Sequence, residues 1–298
     1  MITILVTGAS GFVGGHVARR LADRPEFRLR CLVRTPRPNS LPATVEWMRG
    51  DVNQAATLEA AVQGVQLVVH AAAITADRKE PYRGAFEQVN RFGTENLMGA
   101  ATRAGLERVV LMSGLGTRPA PNGTYMATRW GMEEAVRRSG IPYVILQPSV
   151  LFGTGAPFVT ALARLARRSP VLPLLGGGGV RFQPLWIEDL VTCIEGCLGE
   201  GAPLGRALPI GGAEQVTFRE VLDEICAALH VRRLFVPLPL AAARLQAGVM
   251  TAVMPRPPLT PAALELFSFD NATELDSVER AFGFTPRGFR EHMRQHGL

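Results

Sequence analysis

The sequence predicts an α/β fold, a doubly wound parallel sheet followed by a smaller lobe on the substrate side. Three observations predict it. Short β-branched apolar runs alternate with helix-like stretches through the first half. The first of those runs leads directly into a glycine-rich turn that opens a helix. After Pro148 the alternation breaks into shorter pieces punctuated by glycine and proline.

The apolar runs are ITILV at 2–6, RLRCLV at 28–33, VEWMRG at 45–50, QLVVHA at 66–71, RVVLMS at 108–113 and YVILQ at 143–147. Helical patterns at 12–23, 55–63, 84–104 and 125–139 lie between them, the order of a doubly wound sheet. The division is placed at 1–150 for a dinucleotide-binding domain and 151–298 for the smaller lobe, with some later segments left free to return to the main sheet. That lobe should hold helices near 157–167, 187–198 and 217–229, with strands near 180–184 and 206–210. The stretch 240–254, LAAARLQAGVMTAVM, is an apolar helix candidate, either packed as a lid or offered as a surface to a greasy substrate or a membrane interface.

With 298 residues and 47% hydrophobic content, the chain can fill a sizeable core. No basic and apolar leader and no run of 18 apolar residues stands out, so a cytoplasmic protein without a transmembrane segment is expected, with room for peripheral membrane contact. The net charge of +6 comes from arginines interleaved with acids, without basic and aromatic clusters, so nucleic acid is not an expected partner; a small molecule is. Lys79 is the one lysine among 32 basic residues. Four cysteines with no Cys-x-x-Cys pair argue against a disulfide framework, and Cys193 and Cys197 read as small apolar residues on a buried helix face. The five histidines form no spaced ligand cluster, so no metal site is expected.

The turn reads Thr7-Gly8-Ala9-Ser10-Gly11-Phe12-Val13-Gly14. Gly8 permits a tight turn, Gly11 lets backbone N–H groups approach a pyrophosphate, and Gly14 allows close packing of helix on strand. The helix N-terminus supplies donors and partial positive charge. A selector for the ribose 2′-OH of NAD would be an acid at the end of the second strand, but that strand ends Cys31-Leu32-Val33-Arg34. Arg34, with Arg37 close behind, suits a 2′-phosphate, so NADP(H) is the expected cofactor.

On these residues the chain resembles the short-chain dehydrogenase/reductase superfamily in its extended or atypical, epimerase/dehydratase-like branch. Gly8-x-x-Gly11-x-x-Gly14 is similar to its nucleotide motif, with Ser10, Phe12 and Val13 in the same turn, and Gly50-Asp51-Val52 to its adenine-contacting segment. His70-Ala71-Ala72-Ala73 resembles the fourth strand's passage by the ribose, Val89-Asn90-x-x-Gly93-Thr94-x-Asn96-Leu97 the following helix, and Gln147-Pro148-Ser149-Val150 the nicotinamide-side turn. Trp186-Ile187-Glu188-Asp189-Leu190 is similar to a shared helix start. Pro257-Pro258-Leu259-Thr260 and Phe269-Asp270-Asn271 most resemble bacterial relatives of the nucleotide-binding accessory subunit of respiratory complex I. The resemblance implies cofactor contacts from Asp51, Val52, Ala71, Ala72, Ala73, Pro148 and Val150.

It also implies a catalytic Tyr with a Lys one helical turn later, the ammonium lowering the Tyr pKa and holding the ribose. This chain has Tyr125-Met126-Ala127-Thr128-Arg129, so both residues join the expected cofactor and catalytic set, with Arg129 replacing the lysine. A guanidinium still favours tyrosinate but does not relay a proton near neutral pH. The carbonyl-polarising hydroxyl should follow the fifth strand, where Ser113-Gly114-Leu115-Gly116-Thr117 puts Ser113 early and Thr117 late. Lys79 reads as a loop charge or a residue reaching the nicotinamide pocket, and His70 as a strand-end packing residue. Two functions stay open: an NADP(H)-dependent oxidoreductase on a small, apolar carbonyl, alcohol or quinone-type substrate, and a cofactor-binding module without turnover that serves assembly or sensing. Nucleotide-sugar epimerase or dehydratase chemistry ranks below both, because Phe182-Gln183-Pro184 stands where those relatives present polar diphosphate contacts.

Overall fold

A computed structural model describes residues 1–34, 43–255 and 257–297. In chain order its elements begin β1 (Ile2–Thr7), α1 (Phe12–Ala22), β2 (Phe27–Val33), β3 (Glu46–Arg49), α2 (Ala55–Val62) and β4 (Leu67–His70). A π-helical segment (Glu87–Phe92) runs into α3 (Gly93–Arg103), followed by β5 (Arg108–Met112), α4 (Tyr125–Arg138) and β6 (Tyr143–Pro148). Next come β7 (Leu151–Phe152), α5 (Pro157–Arg168), β8 (Val171–Leu175), a 3₁₀ turn (Gly176–Gly178), β9 (Arg181–Phe182), β10 (Leu185–Trp186) and α6 (Ile187–Leu198). The remainder is β11 (Arg206–Ile210), β12 (Val216–Thr217), α7 (Phe218–Ala228), β13 (Leu234–Leu238), α8 (Leu240–Val253), α9 (Pro261–Glu265), α10 (Ser277–Phe282) and α11 (Phe289–His296).

The main sheet has seven strands in the order β11-β6-β5-β4-β1-β2-β3, and β1 through β6 run parallel. Strands buried on both faces should read as unbroken apolar runs, and Ile4, Leu5 and Val6 of β1 are each fully buried. From β1 the chain proceeds to β2 and β3 on one side and resumes at β4 on the other. The order therefore reverses between β1 and β4, where Thr7 pairs with His70. Such a reversal leaves a crevice at the strands' carboxyl ends, where ligands bind in doubly wound sheets. The strand expected at 206–210 forms there as β11, but as an edge of the main sheet beside β6.

Two compact units make up the chain. The first comprises Met1–Ile74, Glu80–Gln147 and Leu190–Leu208; the second comprises Thr75–Lys79, Pro148–Asp189 and Pro209–Leu298. In the first, Leu5, Leu58, Val68, Leu97, Leu111 and Ile145 belong to a core packed by α2, α3 and α4. Helix α4 starts where Thr124 Oγ1 accepts from Ala127 N at 3.2 Å, an N-cap that fixes the phase of Tyr125 and all that follows. The stretch expected as one helix over 84–104 opens instead with the π-helical segment.

In the second unit Phe182 packs among Phe158, Phe218 and Phe267, with ring centroids 5.4 to 6.2 Å from its own. Gln183 beside it is buried, donating to Gly212 O and accepting from Thr273 N, both at 2.8 Å. Helix α7 carries a capping box between Thr217 and Glu220. The four cysteines are buried, and burial pushes the Cys197 thiol up to about 12. Among the described residues no helix is long and apolar enough to cross a membrane.

Candidate nucleotide and reaction site

The glycine turn sits at the sheet's reversal point. Gly8 has φ +70°, and a Cβ there would stand 2.6 Å from the Ala71 carbonyl oxygen. A Cβ on Gly14 would stand 2.3 Å from Gly8 O. Neither position tolerates a side chain, because the backbone itself fills the space. Gly11 N donates to Gly8 O at 2.8 Å, and Gly11 caps α1, whose first free N–H groups therefore open beside the turn. Ser10 and Gly11 are exposed and Phe12 and Val13 half-buried there. The cradle fits a dinucleotide pyrophosphate.

The walls follow from the neighbouring strands. Ala71 and Ala72 are half-buried and Ala73 exposed, and Ala71 N donates to Thr7 O at 3.3 Å. Asn90, fully buried, clamps this loop in both directions: its Oδ1 accepts from Ile74 N at 2.8 Å and its Nδ2 donates to Ile74 O at 3.1 Å. Asp51 Oδ1 accepts from Asn53 N at 2.9 Å, while Val52 O accepts from Asn96 Nδ2 at 3.1 Å. Arg34 is exposed immediately after β2, where Gly50 N donates to Val33 O at 2.9 Å; Arg37 lies outside the described residues.

Beneath the turn, His70 is buried between two threonines, with Nδ1 2.6 Å from Thr7 Oγ1 and Nε2 2.9 Å from Thr94 Oγ1. Thr94 gives its single proton to Asn90 O, so it accepts from Nε2–H, and Nδ1 accepts from Thr7. Burial lowers the His70 pKa to about 4 and keeps the ring neutral. It acts as a strand-end linker between β1, β4 and α3.

Helix α4 presents Tyr125 and Arg129 one turn apart. Tyr125 is buried against Phe86, ring centroids 5.3 Å apart, and the Arg129 guanidinium carbon lies 5.7 Å from the Tyr125 ring centroid. Arg129 also lies against Gly114: a Cβ at 114 would stand 2.0 Å from Arg129 Nη2. Ser113 points elsewhere, its Oγ donating to Glu133 Oε1 at 2.5 Å and lying 3.2 Å from Thr117 Oγ1. Thr117 gives its proton to Gly114 O at 2.7 Å. Glu133 is fully buried and also accepts from Gln147 Nε2 at 2.8 Å and Arg137 Nη2 at 2.6 Å. The sequence did not single out Glu133; its one signal was position, two turns after Tyr125 on the same helix.

In the second unit, Asn271 holds the turn after β6. Ser149 Oγ donates to Asn271 O at 2.7 Å, and Val150 N donates to Asn271 Oδ1 at 3.2 Å; Pro148 and Val150 are half-buried. Lys79, also in this unit, donates to the Met254 carbonyl at 3.3 Å, at the C-terminal end of α8. A groove of about 740 Å³ opens between α3 and α4, lined by Arg91, Met98 and Trp130 among others, and contains no glycine-turn residue.

Residues 8–165 match a sequence family described as NAD(P)H-binding. Ceramide reductase of Caulobacter vibrioides is 33% identical over 188 residues, which cover 62% of this chain and 57% of that protein. The mitochondrial NADH dehydrogenase [ubiquinone] 1 alpha subcomplex subunit 9 of Arabidopsis thaliana is 24% identical over 93% of this chain and 71% of its own length. A solved structure of MoeE5 in complex with UDP-glucose and NAD superimposes with a TM-score of 0.75 at 21% identity, covering 98% of this chain and 96% of that one; the likeness is one of fold. The glycine cradle and the match over residues 8–165 agree, and the chain belongs to the NAD(P)H-binding family, with homologues in the epimerase/dehydratase and short-chain dehydrogenase/reductase superfamily.

Proposed function

We propose that this protein is an NADP(H)-dependent oxidoreductase that reduces a small, apolar carbonyl or quinone-type substrate. The observation that carries the reading is the pairing of Tyr125 and Arg129 on one face of α4, with the guanidinium carbon 5.7 Å from the ring. Carbonyl reduction needs a hydride at carbon, which a bound nicotinamide supplies, and a proton at oxygen. Tyr125 Oη is the proton donor in this reading. Arg129 stabilises the tyrosinate left behind and offers N–H donors to a ribose, and the proton is replaced from solvent rather than through the guanidinium. The likeness to a ceramide reductase supports an apolar substrate.

Arg34 supports NADP(H) over NAD(H): no acid stands at the end of β2 to repel a 2′-phosphate, and the exposed guanidinium is suited to meet it bidentately. Titrating NADPH and NADH against wild type and Arg34→Ala tests this. A wild-type preference for NADPH that the variant loses is expected; equal wild-type affinities would sink it.

A second reading, an NADPH-binding module without turnover, is favoured by one observation. Both hydroxyls near the end of β5 give their protons away within the protein, Ser113 to Glu133 and Thr117 to Gly114 O. The likeness to a complex I subunit is consistent with such a role. Following NADPH oxidation with apolar ketones, aldehydes and quinones separates the two. Turnover that falls by about 10²- to 10⁴-fold in Tyr125→Phe supports the enzyme; tight binding with no turnover across the panel supports the module.

A further inference from the structure

Helix α8 is inside out for a surface helix. Ala243 and Ala247 face inward, fully buried, while Leu245, Val249 and Val253 at i, i+4 and i+8 on the opposite face are 74%, 58% and 73% exposed. An outward helix face normally carries charge. Here Arg244 is the one charged residue of the helix.

The ribbon that leads into α8 repeats the pattern. Strands β8 and β13 pair in parallel, with Leu172 opposite Phe235 and Val171 opposite Leu234. Paired residues share a face. Leu172 is buried and Phe235 lies under Arg219 of α7, so that face turns inward. The other face exposes Val171, Leu234 and Val236, at 39%, 64% and 44%. Pro239 joins β13 directly to α8, and Leu240 packs 3.5 Å from where a Cβ of Gly176 would stand, just past β8.

Charge selects what covers this surface. Residues 148–187 and 225–264 contain eight arginines and no Asp or Glu. Arg233 Nε donates to Ala166 O at 2.6 Å, which ties the start of β13 to the end of α5, the two segments that carry Arg232 and Arg167 with Arg168. Those three and Arg164 are exposed, and none is paired with a carboxylate among the described residues. A protein partner would have to bury unpaired arginines together with aliphatic side chains. An anionic lipid surface accepts both at once, phosphates for the arginines and the acyl boundary for Leu245, Val249 and Val253.

We propose that the α8 helix and the β8–β13 ribbon form a docking surface for an anionic lipid bilayer, on which the protein lies without crossing. The inference stands on this surface alone and is independent of the proposed reaction. Flotation of the full chain with phosphatidylcholine vesicles, with and without phosphatidylglycerol, tests it. Binding to the anionic vesicles is expected, with at least a tenfold loss of partition in plain phosphatidylcholine, in high salt, in Leu245→Glu/Val249→Glu and in Arg167→Glu/Arg168→Glu/Arg232→Glu. The altered side chains are exposed, so NADPH binding should be retained and serves as the check on folding. A Val249→Trp reporter should shift its emission to the blue on vesicle addition and be quenched by brominated lipid. Absence of wild-type binding, equal binding by the variants, or an unshifted reporter overturns the proposal. So does a light-scattering dimer that Leu245→Glu/Val249→Glu converts to monomer, because a second copy would then be the occupant.

Discussion

The guanidinium of Arg129 lies where the side chain of residue 114 would be, so that Gly114 and Arg129 share one volume. A Cβ at 114 would come within 2.4 Å of Arg129 Cζ as well as 2.0 Å of Nη2. The larger cation on α4 is accommodated by the missing side chain after β5.

Gly114→Ala should therefore displace Arg129. NADPH affinity measured by calorimetry is expected to fall about tenfold to a hundredfold, which corresponds to about 1.4–2.8 kcal/mol. The double variant Gly114→Ala/Arg129→Lys, with a slimmer cation, should recover most of the loss. Additive losses in the double variant would show that the two positions are not coupled.

Glu133 holds Ser113, Gln147 and Arg137 from a fully buried carboxylate. Truncation to Ala leaves the buried Ser113 and Gln147 without that acceptor, while Arg137 keeps Glu134 Oε1 at 3.1 Å. Urea unfolding of Glu133→Ala should show a loss of about 2–5 kcal/mol. Glu133→Gln, which keeps the volume, should lose less. If Ser113 serves catalysis once released, Glu133→Gln should also change turnover at unchanged NADPH affinity.

His70 sets an acid limit on stability. Its folded pKa, near 4, lies below the unfolded value of 6.5. The unfolded chain therefore takes up a proton first as pH falls, and stability drops between about 6.5 and 4. The full effect is about 3 kcal/mol. Unfolding free energies of wild type and His70→Gln between pH 7.5 and about 4 should differ in slope across that window and run parallel above it. Identical slopes would remove His70 as the cause.

Gly8→Ala places a methyl group 2.6 Å from the Ala71 carbonyl at φ +70°. NADPH binding should fall below detection, while far-UV circular dichroism retains the α/β signature. Retained affinity would mean that the turn relaxes without loss of its donors.

The sheet was legible because buried parallel strands are continuous apolar runs, and the glycine turn because its conformation admits no other residue. Helix α4 was legible from its helical pattern over 125–139 and from Tyr125 and Arg129 at one-turn spacing, whereas its Thr124 cap was not read. Less legible were contacts set by sequence-distant partners. That β11 joins β6 depends on pairing across more than 50 residues, which periodicity does not carry. Nothing local marks Glu133 as buried, since a Glu-Glu pair on a helix reads as a solvated face. The clamp of Asn271 on Ser149 and Val150 spans 122 residues and leaves no spacing signal. The apolar composition of 240–254 was visible, whereas the direction its side chains face depends on Ala243 and Ala247 being the residues that pack.

Lys79 gives the chain a practical address. As the one ε-amine in the sequence, hydrogen-bonded to the Met254 carbonyl where α8 ends, it is a single lysine for amine-directed chemistry. With the α-amine of the chain blocked, a fluorophore or crosslinker attached there would sit beside the C-terminal end of that helix, without a cysteine having to be engineered among four buried thiols.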